Sequence, residues 1–333
     1  MSRDTRFMAA ALALAGRGRG QTAPNPNVGC VIVNHGVVIG RGWTQPGGRP
    51  HAEAMALEQA GDAARGATAY VTLEPCAHPS QRGPACSQSL IAAGVARVVA
   101  ATGDPDPRTN GAGFAALRAA GIAVETGMGA DAARRAMAGF LTRRALRRPH
   151  VTLKLATSLD GCIALVSGAS RWITGDAARA HTHLERSRHE MILVGRGTFE
   201  TDQPRLDVRL AGLEARSPRR ALLTRGDPPQ GWEGVRDPHA IGTLEDVDHL
   251  FVEGGATTAS AFVADDLVDR LLLYRAPILI GHGKAALGDI GLERLDDAHG
   301  RWRLADTRML GSDRLEVYER VRENGVSTAG RSS

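Results

Sequence analysis

Aromatic side chains make up only 4% of this sequence, lysine occurs just twice, at Lys154 and Lys284, and no window approaches the roughly 20 apolar residues of a membrane span. Each shortage excludes something. With few rings to stack bases on, and a net charge of +5 spread over scattered arginines rather than gathered in one stripe, nucleic acid is not an expected partner. Without an apolar span, neither is a membrane. The four cysteines, Cys30, Cys76, Cys86 and Cys162, are unevenly spaced and do not suggest a disulfide framework, so a reducing cytoplasm is the expected location. The opening "MSRDTRFMAAALALAGRGRG" has an early arginine and a short apolar run, but Asp4 and Arg6 break the signal-peptide pattern. An amphipathic helix, capped by Ser2 or Asp4 and ended by Gly16, fits it better.

With 43% hydrophobic and 23% charged residues, the 333-residue chain reads as soluble and globular, long enough for two domains that each bury a core. In the first half, short apolar runs alternate with Ala-rich helical patterns: "VGCVIV", "MALEQAG", "AYVTLE", "CSQSLIAAG", "ARVVAAT", "FAALRAAG". That rhythm predicts helices packed on a largely parallel sheet. The basic, proline-bearing "LTRRALRRPH" then precedes a new strand, "VTLKLATSLDG", which puts a domain boundary near Arg148. Domains are expected at 1–147 and 148–322, with 323–333, "ENGVSTAGRSS", as a disordered tail. The second half repeats the α/β rhythm in "EMILVG", "RRALLT", "HLFVEGG", "RLLLYRAPILIG" and "RLEVYERV".

Chemistry is concentrated first in "HAEAMAL", from His51, and "TLEPCAHPSQRGPAC", ending at Cys86. A catalytic zinc wants three N or S ligands and one open position for water, and His51, Cys76 and Cys86 supply such a set. Glu53, two residues after the histidine at the start of a helix, is placed to move a proton without ligating the metal. Zinc nucleobase deaminases use H-x-E followed by P-C-x-x-C, and here the second cysteine is farther away. A purely structural zinc would normally close its fourth position with another Cys or His. Cys30, inside "VGCVIV", and Cys162 read as small core residues.

The chain resembles the bifunctional riboflavin-biosynthesis deaminase/reductase family, RibD. The resemblance rests on "PNPNVGCVIV", "HAEAMAL", "YVTLEPCAH", "RGPAC", "LIAAGVARVV" and "DPDPRTNGAGFAALRAAGI" in the first half, and on "LKLATSLDG", "SGASRWIT" and "VEGGATTASAF" in the second. It implies an α/β fold: an N-terminal cytidine-deaminase-like three-layer αβα domain and a C-terminal dihydrofolate-reductase-like α/β domain. It further implies deamination of a phosphoribosylated diaminopyrimidine with Zn2+, then NADPH-dependent reduction of the ribosyl group, in a homo-oligomer acting on small phosphorylated pyrimidines.

Carried over residue by residue, the resemblance makes His51, Cys76 and Cys86 the zinc ligands and Glu53 the proton shuttle. Asn25 contacts the pyrimidine unless it is only a turn residue, and Arg82 contacts the substrate phosphate unless it is only a solvated loop arginine. In the second half, Ala156, Trp172, Thr198 and Asp202 fall on the cofactor side, with Gly255, Ala256, Thr257, Thr258, Ala259, Ser260 and Ala261 around its phosphates. Ser170, Arg186, Leu206, Arg209 and Glu253 fall to the substrate. "FVEGGATTASAF" suits the pyrophosphate better than "VGRGTF", which lacks the third glycine of a dinucleotide loop. Lys154 stands where an ammonium meets developing oxyanion charge, and Asp202 and Glu253 are carboxylates for sugar hydroxyls or a proton relay, with plain salt bridges as the alternative. Trp172 is equally a core candidate.

The sequence departs from the family's pattern in five places. The loop from Cys76 to Cys86 is one residue longer than usual, Thr44 stands where many members have histidine, and Gln203 replaces an acid in "TDQPRL". The stretch between Arg209 and "HLFVEGG" is short, and a strand that often ends in Asp-Ser reads "RRALLTRG", leaving Arg225 as a candidate for the cofactor's 2′-phosphate. The alternative reading is accordingly a deaminase whose C-terminal half has lost catalysis and serves binding or assembly. A tRNA or free-nucleoside deaminase would not need that half at all.

Overall fold

Ser2 accepts a hydrogen bond from the Thr5 N–H and so caps the first helix, α1 (Arg3–Gly18). In the computed structural model, which describes residues 2–79 and 83–322, this helix runs past Gly16. Nothing crowds Gly16, whereas a side chain on Gly18 would come within 2.9 Å of the Thr44 carbonyl oxygen, so it is Gly18 whose lack of a side chain the packing requires. The buried face of α1, with Met8, Ala11 and Leu14, lies in the core of the first unit. The expected tail, 323–333, lies outside the described residues.

Contacts divide the chain into two units, one ending at Leu146 and the next beginning at Arg147. The first unit continues with β1 (Gly29–Asn34), β2 (Val37–Trp43), α2 (Ala52–Ala60), β3 (Thr68–Val71), α3 (Cys86–Ala93), β4 (Arg97–Ala100), α4 (Ala112–Ala119), β5 (Ala123–Thr126), α5 (Ala130–Ala136) and α6 (Ala138–Leu146). Its five-stranded sheet has the order β2-β1-β3-β4-β5. Only β3, β4 and β5 run parallel; β1 is antiparallel to both of its neighbours. The expected largely parallel sheet is therefore mixed, because His35 and Gly36 take positive φ and fold "VGCVIVNHGVVIGRGW" into a tight hairpin. Close approach of α2 to that hairpin depends on Gly40 and Gly42, where a Cβ would lie 2.1 and 2.0 Å from helix carbonyl oxygens.

The second unit contains β6 (His150–Thr157), β7 (Cys162–Leu165), α7 (Asp176–Arg186), β8 (Met191–Gly195), α8 (Arg196–Asp202), β9 (Arg219–Leu223), β10 (Glu233–Val235), β11 (His249–Glu253), α9 (Ala256–Ala264), β12 (Arg270–Arg275), β13 (Gly283–Ala285), β14 (Trp302–Leu310) and β15 (Asp313–Arg320). Its eight-stranded sheet has the order β10-β9-β8-β11-β6-β12-β15-β14, parallel from β10 through β12 and antiparallel beyond. Two cores cover its faces. One packs Val151, Leu153 and Leu193 with Phe262 of α9, and the other packs Phe251, Leu272 and Tyr274 with Ala178 of α7. The central parallel strands consequently end along a single edge, where α8 and α9 begin.

Candidate functional sites

His51 occupies the N-cap position of α2 without capping it, which leaves its imidazole for other work. Its Nδ1 lies 3.2 Å from Cys86 Sγ and 3.7 Å from Cys76 Sγ, and all three donor atoms fall within 4.8 Å of one another. Tetrahedral zinc, with Zn–S of about 2.3 Å and Zn–N of about 2.0 Å, sets its ligand atoms roughly 3.3–3.8 Å apart, so this donor set fits the ion. The sulfurs are already arranged for it. Cys76 is held down to about 4, chiefly because the Cys86 thiol hydrogen-bonds to it, with His51 and the Cys86 backbone N–H adding to the effect. Cys86 correspondingly keeps its proton, for the same mutual hydrogen bond and its burial. Cys30 is buried in β1 and Cys162 in β7, and neither joins the donor cluster.

Glu53 sits in the first turn of α2 with 3% of its surface exposed, beside this cluster. Burial pushes its carboxyl up, opposed chiefly by His51. Asn25 donates to the Gly48 carbonyl at 2.8 Å and brings its Nδ2 to 3.5 Å from His51 Nε2, on the side of the ring away from the sulfurs. Gly48 is needed there: its φ is +84°, and a Cβ would meet the Asn25 side chain at 2.6 Å. Thr44, where many relatives in the resembled family carry histidine, is buried and its hydroxyl accepts the Val28 N–H. Arg82 lies outside the described residues.

One residue in "LEPC" emerges only from the structure. The buried Glu74 carboxylate accepts the backbone N–H groups of Asp104, Gly111 and Phe114 at 3.2, 3.0 and 3.1 Å. It ties the turn that carries Cys76 to the start of α4. Ser87 secures the same turn from the other side, through its N–H and hydroxyl on the Cys76 carbonyl. A carboxylate two residues before a cysteine is the sequence signal for this, but its partners are backbone groups some 30–40 residues away, which no local pattern reveals.

In the second unit, Glu253 at the end of β11 pairs in register with Lys154 on β6. Arg186 of α7 donates Nε and Nη2 to Glu253 at 2.6 and 3.0 Å and Nη1 to the Asp207 carbonyl at 3.0 Å. Burial alone would raise the Glu253 carboxyl, but Arg186 and then Lys154 hold it down. Burial pulls the Lys154 ammonium down, opposed by Glu253. The salt bridge is thus real for Glu253 and coexists with Lys154 on the neighbouring strand. Arg186, expected at the substrate, spends three N–H groups on protein acceptors, so its first task is to orient Glu253.

The remaining expected residues are spread along the strand ends. Thr198 Oγ1 accepts the Gly255 N–H at 3.2 Å, and α9 begins at Ala256 without a side-chain cap, leaving its first turn, Gly255 to Thr257, open. Thr258, Ala259 and Ser260 point inward instead. Thr258 packs where any Cβ on Gly195 or Gly254 would collide, and Ser260 Oγ accepts the Gly288 N–H. Ala261 is half-buried in the next turn. Ala156 lies on the α7 side of β6 against Tyr274. Trp172 is 68% exposed with the Arg179 guanidinium 4.6 Å above its ring, which removes its core alternative. Ser170 shares that exposed loop, and the neighbouring Arg171 reaches Asp202 at 3.9 Å. Leu206 is buried with φ of +56° and lines a cavity of about 750 Å³ whose walls include neither Lys154 nor Glu253. Arg209 is largely exposed, its Nε 3.4 Å from Asp207.

Comparison with known proteins agrees with this two-part geometry. Residues 1–102 match the cytidine and deoxycytidylate deaminase zinc-binding region, and residues 149–231 and 241–315 match the RibD C-terminal domain. The chain is 39% identical to the riboflavin biosynthesis protein RibD of Escherichia coli, over 93% of this chain and 98% of that one. It is 35% identical to RibD of Aquifex aeolicus, over 95% and 98%. Among solved structures, RibD of Acinetobacter baumannii superposes with a TM-score of 0.83 at 36% identity, covering 96% of this chain and 99% of that chain. The Thermotoga maritima protein described as a diaminohydroxyphosphoribosylaminopyrimidine deaminase/5-amino-6-(5-phosphoribosylamino)uracil reductase gives 0.83 at 30% identity, with the same coverage. A zinc-binding deaminase half and a RibD reductase half, matched over nearly the whole length of their relatives, place this chain in the RibD family.

Proposed function

We propose that residues 1–147 hydrolytically deaminate 2,5-diamino-6-(5-phosphoribosylamino)pyrimidin-4(3H)-one and that residues 148–322 then reduce the ribosyl side chain of the product to ribityl. The observation that carries the reading is the His51–Cys76–Cys86 donor cluster with Glu53 buried beside it, in a chain whose other half pairs Lys154 on β6 with Glu253 at the end of β11. His51, Cys76 and Cys86 would hold zinc, which would supply a water acidified enough to attack at neutral pH. Glu53 takes a proton from the attacking water and returns one to the departing amine, so that ammonia leaves neutral. Asn25, fixed by Gly48, presents its amide to the pyrimidine edge. Arg82 is assigned to the substrate phosphate.

In the second half, Gly255, Ala256 and Thr257 at the start of α9 would hold the pyrophosphate of NADPH, which would supply the hydride. Lys154 Nζ donates to the sugar oxygen on which negative charge grows. Glu253, held by Arg186, orients sugar hydroxyls. Thr198 fixes the Gly255 backbone, and of the exposed residues Trp172 and Asp202 are assigned to the cofactor and Ser170 and Arg209 to the substrate. No described helix is long and apolar enough to cross a membrane, in keeping with small dissolved substrates.

The test is metal content. Purified protein should carry about one zinc per chain, and Cys76→Ser or Cys86→Ser should lose both zinc and ammonia release, since each removes one of three ligands. Full zinc retention in both variants would refute the assignment.

A further inference from the structure

The cavity of about 750 Å³ in the second unit lies within the range of small-molecule sites, roughly 300 to 1,000 Å³. The 205–207 segment, the start of β9 and the start of β10 enclose it. Strand β9 contributes its first two residues, Arg219 and Arg220, whereas Glu253 and the start of α9 stand where the parallel strands end. No residue of α9 lines it. Two of its walls, Trp232 and Glu233, belong to the stretch 232–240 that the match to the RibD C-terminal domain passes over, so the cavity is built in part from residues outside the family pattern.

Trp232 forms the platform. Phe199 packs edge-on to its indole with ring centres 5.1 Å apart, and the half-buried Arg220 guanidinium lies 5.1 Å from the indole centre. Among the described residues no carboxylate pairs with Arg220. Two more arginines face the same space. Arg219 is fixed by Glu233 at 3.0 Å and by the Glu245 carbonyl at 2.6 Å, and the exposed Arg205 lies 2.8 Å from Asp207. Exposed pairs of this kind are weak, and an incoming anion can replace the carboxylate. Three guanidinium groups against two carboxylates leave the walls positive. A guanidinium lying on an indole also offers its other face to a second flat ring, while the forks of Arg205 and Arg219 suit a phosphoryl group.

We propose that this cavity is a regulatory ligand site, separate from the reductase site, for a phosphate monoester carried by a planar heterocycle. Asp207 links the two. Its backbone carbonyl accepts Arg186 Nη1 at 3.0 Å, and the same arginine holds Glu253 through Nε and Nη2, so an occupant that moves Asp207 reaches Glu253 through one side chain. The coupling to Glu253 rests on the reductase reading above, whereas binding itself does not.

Riboflavin 5′-phosphate is a suitable probe, since its ring is planar and its fluorescence is quenched by stacking. It should bind full-length wild type saturably with excess NADPH present to fill the reductase site. Riboflavin, which lacks the phosphate, and ribose 5-phosphate, which lacks the ring, should each bind about tenfold or more weakly, as should the whole probe to Arg220→Gln, through loss of a charge-assisted contact. Arg220→Lys, which keeps the charge but not the plane, should not restore binding. Lys154→Ala should bind the probe as wild type does. Saturation should also shift the reductase KM by about twofold or more in wild type and leave it unchanged in Arg220→Gln. Displacement of the probe by NADPH, equal binding of all three compounds, undiminished binding in Arg220→Gln, or binding without effect on an active reductase would each overturn the proposal. A reductase that does not turn over at all would instead count against the reading above, and the binding measurements would still decide whether the site exists.

Discussion

Glu53→Gln is expected to keep about one zinc per chain while ammonia release falls by about 10² or more. The carboxamide has the carboxylate's size and shape, so α2 and its N-terminal His51 should stay in place. What disappears is the basic oxygen that moves a proton between water and the leaving amine. The donor set is complete without Glu53, because His51, Cys76 and Cys86 already converge. Zinc measured by elemental analysis beside an ammonia assay distinguishes the roles. Loss of metal in this variant would make Glu53 a ligand.

Lys154→Ala is expected to abolish NADPH oxidation, by about 10² or more if the ammonium stabilises oxyanion charge, while ammonia release stays near wild type. Lys154→Arg should also be poor. The site already holds the Arg186 guanidinium on Glu253, and a second planar cation, longer and five-pronged, does not replace a compact ammonium beside it. Steady-state rates for both half-reactions in both variants check this. A wild-type reductase rate in Lys154→Arg would make the lysine incidental, and equal loss of both activities would contradict separable sites.

What the sequence disclosed depended on how local the physics was. The His51–Cys76–Cys86 cluster was legible because metal chemistry restricts residue type and spacing, and α2 and α3 place His51, Glu53 and Cys86 at helix starts that local pattern reveals. Parallel strands such as β8 and β11 were legible as continuous apolar runs, being buried on both faces. By contrast β14, a nine-residue strand mostly exposed along its length, carries no such run and shows itself only through its pairing with β15. The hairpin that turns the first sheet from parallel to mixed hangs on two positive-φ residues. Glu74 escaped for a further reason: it acts on groups 30 or more residues away. In the glycine-rich "VEGGATTASAF", the motif marked the strand-to-helix turn but not its face, and only the packing of Thr258 and Ser260 separates the first turn of α9 from the buried second.

The most direct test of two chemistries in one chain is to give purified wild-type protein the diaminopyrimidine substrate with NADPH, following ammonia release and nicotinamide absorbance separately. The account predicts both signals, with NADPH loss lagging ammonia release and disappearing when NADPH is supplied without the pyrimidine. Sustained ammonia release with no loss of NADPH would contradict it and leave a deaminase whose second half has lost catalysis.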